Sequence, residues 1–177
     1  SERVPVTITV DAIPVITVSA SAAPCEGGSI TFTATSLPGA TYTWTGDASS
    51  TTNVATVNSV TSGTTYSGTV KATVGGCESA DVAYTQTALT TPAITVSASA
   101  APCEGGSITF TATSIPGATY TWTGDASSTT NVATVNSVTS GTTYSGTVKA
   151  TVGGCESADV AYTQTALTTP DVPILTN

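Results

Sequence analysis

From Ile16 onward, apolar side chains stand at every second position in short runs, separated by stretches rich in Gly, Pro, Ser and Asp. A period of two puts successive side chains on opposite faces of a pleated strand. Ile16, Val18 and Ala20 share one face of a first strand, and Ile30, Phe32 and Ala34, with threonines between them, share one face of a second. The turn "LPGA" leads to a strand on which Tyr42 and Trp44 point the same way, and the loop "GDASSTT" to one carrying Ala55, Val57 and Val60. In "SGTTYSGTVKATV" the inward set is Tyr66, Gly68, Val70, Ala72 and Val74; Gly75 and Gly76 then turn the chain into a last strand with Val82 and Tyr84. Roughly six or seven short strands, with turn signals about every eight to twelve residues, predict an all-β antiparallel sandwich. No helical period is present.

The pattern then starts again. Residues 16–92 recur as 94–170 at an offset of 78, with Leu37 replaced by Ile115 as the single change. The predicted organisation is therefore two tandem sandwiches, residues 15–92 and 93–170, arranged end to end. Residues 1–14 fall in register with 79–92 and alternate Val4, Val6, Ile8 and Val10 against Arg3, Thr7, Thr9 and Asp11, which predicts the last strand of a preceding module. "DVPILTN" at 171–177 takes the place of "VITVSAS" and reads as the start of a following one. The connection "TALTTPA" at 87–93 is short and contains proline, so neighbouring modules are expected to have little independent motion.

Composition removes several classes of function. Three basic residues (Arg3, Lys71, Lys149) stand against eleven acidic ones, a net charge of −8, which disfavours nucleic acid and anionic membranes as partners. No apolar run approaches the roughly eighteen residues of a membrane span, so no membrane insertion is expected. There is no histidine to serve a Ser-His or Cys-His pair. Lys71 and Lys149 fall on the outward face of their strands, where a lysine is solvated rather than poised for an isopeptide bond. The chain is read as a non-enzyme.

The early "GGSITFTA", the later "YTWTGD", then "ATVNSV" and a Gly-x-x-Tyr ending at Tyr66 together resemble immunoglobulin-like and PKD-like domains. With the added "C-x-G-G-S-I-T" and "V-G-G-C-x-S", both copies and their flanks look like the tandem modules of very large secreted adhesins and gliding-associated surface proteins of Bacteroidota. The resemblance implies an extracellular, cell-surface setting. It implies core roles for Trp44 and Trp122, and tyrosine-corner roles for Tyr66 and Tyr144. It also exposes a departure: Ala34 and Gly68 occupy the positions of the inter-sheet cysteines of antibody domains.

The cysteines then need other partners. Two per module outside the cell point to disulfides rather than to zinc. In a seven-strand sandwich Cys25, before the second strand, and Cys77, before the last, lie at opposite poles, roughly 20 Å or more apart at about 3.3 Å per residue. A disulfide needs Cα atoms within about 7 Å. Opposite poles become neighbours across a junction, so one pairing is Cys25–Cys155 between modules, with Cys77 and Cys103 bonding to further modules. A shorter six-strand variant would bring the cysteines to one pole and allow Cys25–Cys77 and Cys103–Cys155. The residues leave both open.

Other candidate chemistry is sparse. No cofactor is implied. Glu26 and Asp47 of one module, with Glu156 of the next, offer three oxygen ligands for calcium at a junction. Glu26 with Asp47, and Glu78 with Asp81, read otherwise as solvated turn carboxylates. Trp44, Tyr42, Tyr66 and their copies lie on the apolar register, which places them in the core rather than on a sugar-stacking platform. No Asn-x-Ser/Thr sequon occurs, and the outward threonines are left open to O-linked sugar. The expected function is a structural repeat segment, a stalk or filament whose partners are neighbouring modules or other copies of the chain. The alternatives are a carbohydrate- or protein-binding module and a filament subunit that assembles by strand donation.

Overall fold

The computed structural model describes Arg3 and residues 10–170. Much of the segment 1–14 and all of 171–177, expected to belong to flanking modules, lie outside the described residues; residues 10–14 carry no strand. The chain separates into two compact units, Ser1–Thr90 and Thr91–Asn177. Among the described residues there is no helix, and so none long and apolar enough to cross a membrane.

In the first unit β1 (Val18–Ala20), β2 (Ile30–Ala34) and β4 (Val54–Val57) form one antiparallel sheet in the order β1-β2-β4. The other sheet centres on the ten-residue β5 (Thr65–Val74), which pairs with β3 (Thr41–Gly46) on one side and with β6 (Cys77–Glu78) and β7 (Val82–Thr87) on the other. The side chain of Gln86 closes the sandwich at one seam by donating to Ser21 O at 2.6 Å. The second unit repeats each element as β8 (Val96–Ala98), β9 (Ile108–Ala112), β10 (Thr119–Gly124), β11 (Val132–Val135), β12 (Thr143–Val152), β13 (Cys155–Glu156) and β14 (Val160–Thr165), with the same pairings.

The alternation explains the core. Ile30, Phe32 and Ala34 on β2 face Tyr42 and Trp44 on β3, with Val70 and Ala72 on β5 and Tyr84 on β7, and all are buried. The odd-numbered threonines between them face outward and pair across strands, Thr45 with Thr69 and Thr65 with Thr87, both at 2.8 Å. The first strand departs from its predicted pattern: Ile16 is buried, but Val18 is only partly covered and Ala20 is exposed. β1 is a three-residue edge strand, and edge positions bury less of each side chain.

Phe32, Trp44, Gly68 and Tyr84 meet between the two sheets. Gly68 pairs with Gly46 on one side and Tyr84 on the other. The Tyr84 ring folds across its glycine neighbour to meet Phe32 at 4.3 Å and Trp44 at 5.4 Å between centroids, both tilted. Its hydroxyl donates to Thr45 O at 2.8 Å and accepts from Ala48 N at 2.9 Å. Phe110, Trp122, Gly146 and Tyr162 repeat the cluster in the second unit.

Candidate functional site

Both cysteine positions are made by glycine-dependent turns. At residues 25–28 Gly28 N donates to Cys25 O at 3.0 Å and Gly27 takes φ 76°, as the third residue of a type II turn requires. The turn is clamped from two sides, by Gly27 N on Val60 O and by Leu89 N on Pro24 O, each at 2.8 Å. Cys77 opens β6 directly after Gly75 and Gly76, whose φ values of 57° and 87° form a two-residue hairpin that sets Val74 opposite Cys77. The second unit repeats these bonds around Cys103 and Cys155.

These attachments put the two cysteines of a unit at opposite poles. The Cys25 turn is held to Leu89, and Ala88 N reaches Thr64 O at the start of β5, whereas Cys77 sits at the end of β5. Ten residues at about 3.3 Å each separate the poles by ~30 Å, far beyond disulfide reach. Cys77 and Cys103 are free thiols, and Cys25 and Cys155 are disulfide-bonded. Neither unit therefore holds the internal pairing Cys25–Cys77 or Cys103–Cys155, because the six-strand arrangement that would allow it is not the one adopted. Cys77 and Cys103, expected to bond to further modules, are thiols in this chain.

The aromatic residues offer no exposed platform. Trp44 and Trp122 are 7% and 6% exposed, and the Trp44 indole N–H is taken by Thr52 O at 2.8 Å. The Tyr42 hydroxyl donates to Thr35 O at 2.7 Å and accepts from Leu37 N at 2.9 Å, which pins the "LPGA" turn. Tyr66 and Tyr144 are half-buried, and their hydroxyls accept from Thr61 N at 2.8 Å and Thr139 N at 2.9 Å, each five residues upstream. The role of Tyr84 was not read from the sequence beyond its inward register.

Two of the three proposed calcium ligands are engaged inside their own units. Asp47 Oδ2 accepts from Ser67 N at 2.7 Å, and Glu156 Oε2 accepts from Lys149 Nζ at 2.8 Å. Among the described residues no group of three His, Cys, Asp or Glu is placed to hold a metal ion. Lys71 likewise donates to Glu78 Oε2 at 2.8 Å. That hydrogen bond, then the charges of Glu78 and Asp81, hold the Lys71 pKa above its ordinary 10.5 against slight desolvation. A folded pKa above the unfolded one means a stabilising contribution complete below pH 10.5 and lost as pH rises through the folded value. A Lys71→Met chain is expected to keep its melting midpoint near neutral pH, since the pair is largely solvated. Its alkaline decline above about pH 10.5 should be shallower than that of the parent chain. Melting curves across that range check both halves.

No protein-family model matches the chain, and no curated protein matches it. Solved structures do. An I-band fragment of titin superimposes with a TM-score of 0.51 and 13% identity, covering 90% of this chain and 66% of the fragment. Murine CEACAM1b matches with a TM-score of 0.40 and 11% identity over 86% of this chain and 98% of that one. The ectodomain of mouse nectin-like molecule 4 matches at 0.36 and 15%, over 90% and 66%. The titin superposition shows the immunoglobulin-like fold and nothing narrower.

Proposed function

We propose that the chain is a structural repeat segment of a secreted, cell-surface adhesin-like protein, a stalk in which immunoglobulin-like modules follow end to end and a Cys25–Cys155 disulfide staples the junction. The observation that carries this reading is the oxidation pattern: Cys25 and Cys155 are disulfide-bonded while Cys77 and Cys103 are thiols, in a chain with four cysteines. A bond of that kind belongs to an oxidising compartment, which supports secretion. The near-identity of the two copies supports a mechanical role, because repetition adds length without adding a new surface. Each module would contribute roughly 35–45 Å, from strands of about ten residues plus end loops.

The alternatives have less behind them. A sugar-binding module needs an exposed aromatic face, and the tryptophans are buried. Strand donation needs an incomplete sandwich, and each unit carries its own last strand, β7 or β14.

Two measurements test the proposal together. Thiol titration of the unfolded, unreduced chain should find two thiols, and Cys25→Ser should raise the count to three with Cys155 as the new one. Solution scattering of the oxidised chain should give a maximum dimension about twice that of one module. A bond to another molecule in place of Cys155, or a compact side-by-side particle, would sink the stapled stalk.

A further inference from the structure

The two remaining thiols are of the two kinds that the proposed staple joins, one on a turn and one on a hairpin. Cys103 sits on the turn that repeats the Cys25 turn bond for bond: Gly106 N donates to Cys103 O at 3.0 Å, Gly105 N to Val138 O at 2.8 Å and Leu167 N to Pro102 O at 2.9 Å. Cys77 opens the hairpin that Cys155 opens in the other unit. Yet each oxidised cysteine is more covered than its reduced counterpart in the other unit. Cys155 is 1% exposed while Cys77 is partly exposed, and Cys25 is partly covered while Cys103 is exposed. Leu167, beside Cys103, is 50% exposed against 37% for Leu89, and with Thr168 and Pro170 it lines a recess of about 240 Å³ next to the thiol. Identical residues in identical backbone frames are thus disulfide-bonded once and open once. The open pair lacks only the opposite half, and a second copy of this chain carries it.

We infer that Cys103 of one chain bonds to Cys77 of a second copy, joining copies head to tail. The inference rests on the staple proposed above, from which it takes its rule that a turn cysteine bonds to a hairpin cysteine. Cys77 and Cys103 each lie ~30 Å from the oxidised cysteine of their own unit, at the opposite pole of that unit. The contact is heterologous, with different surfaces on its two sides, and therefore propagates rather than closing at a dimer.

Oxidised glutathione is a sufficient oxidant. The Cys103 thiolate attacks one of its sulfurs and releases one glutathione; the Cys77 thiolate of the second chain then attacks the Cys103 sulfur and releases the other. One glutathione disulfide is reduced to two thiols, and the two protein thiols give up their protons and become the new disulfide.

The test is non-reducing electrophoresis after incubation with oxidised glutathione. The parent chain should give a ladder of multimers that collapses on reduction. Cys77→Ser alone and Cys103→Ser alone should stay monomeric, and an equimolar mixture of the two should stop at the dimer. Single variants that dimerise as readily as the mixture would overturn the head-to-tail pairing. A parent chain that stays monomeric would overturn the inference, whether its thiols become capped or bond to each other. Failure of the underlying staple shows separately: the Cys77→Ser, Cys103→Ser double variant should have no titratable thiol, and thiols there would sink the staple whatever the ladder does.

Discussion

A Gly68→Ala chain is expected to melt in two steps, with the first unit lowered and the second near the parent midpoint. A Cβ at Gly68 would collide with Thr45 O on the neighbouring strand and stand 2.5 Å from the Tyr84 hydroxyl and 2.7 Å from its Cζ. None of these can yield cheaply. Thr45 O is backbone within the β3–β5 ladder, and the Tyr84 ring is held by Phe32, Trp44 and two hydrogen bonds. Overpacking of this kind costs about 1–3 kcal/mol and more where backbone must move, so ~3 kcal/mol is expected. A module of this size has only about 4–12 kcal/mol of stability at ~0.05–0.15 kcal/mol per residue. The midpoint should fall by on the order of 15 °C at about 4–8 °C per kcal/mol. Gly146 is untouched in the second unit and serves as an internal control within the same scan. A single transition at the parent midpoint would show that the β3–β5 approach has room for a methyl group.

The alternation carried most of the fold, because a sheet buried on one face must be written at period two and a slip of one residue would turn its core outward. Ile30, Phe32, Tyr42, Trp44, Val70, Ala72 and Tyr84 are legible that way and are buried. Alternation says nothing about where a hydroxyl ends. The bond of Tyr42 to Thr35 and that of Tyr84 to Ala48 depend on loop paths. The Lys71–Glu78 pair was within reach: a two-residue Gly-Gly hairpin sets Val74 opposite Cys77 and Thr73 opposite Glu78, which makes Lys71 and Glu78 diagonal neighbours on one face. The oxidation of Cys25 and Cys155 was legible only as one of two pairings, because the pole a turn occupies follows from the strand count. That count was open between six and seven until the short β6 and the kink at Ser79 were seen. Ser79 N reaches Ala72 O at 2.8 Å and its hydroxyl accepts from Ala72 N at 3.0 Å, so one strand splits into β6 and β7.

Tyr84 is the position where one oxygen atom should matter most. Tyr84→Phe keeps the ring, its 4.3 Å contact with Phe32 and its fit over Gly68, and removes only the hydroxyl. What remains is Ala48 N, in a residue 2% exposed, without the acceptor it uses, and Thr45 O without its side-chain donor. Leaving a buried donor unpaired costs about 1–3 kcal/mol, so ~2 kcal/mol is expected for Phe. Tyr84→Ala also empties the space between the sheets and should cost about 3–5 kcal/mol, enough to unfold the first unit at the lower end of the stability range above. The order Ala worse than Phe, and Phe clearly worse than the parent, separates a hydrogen-bonded pin from a merely apolar filler. Urea unfolding followed by tryptophan fluorescence reads it directly, since Trp44 lies 5.4 Å from the Tyr84 ring. If Tyr84→Phe unfolds at the parent concentration, the hydroxyl contributes nothing. The contact of Tyr84 with Phe32 and Trp44 between the sheets would then be held by packing alone.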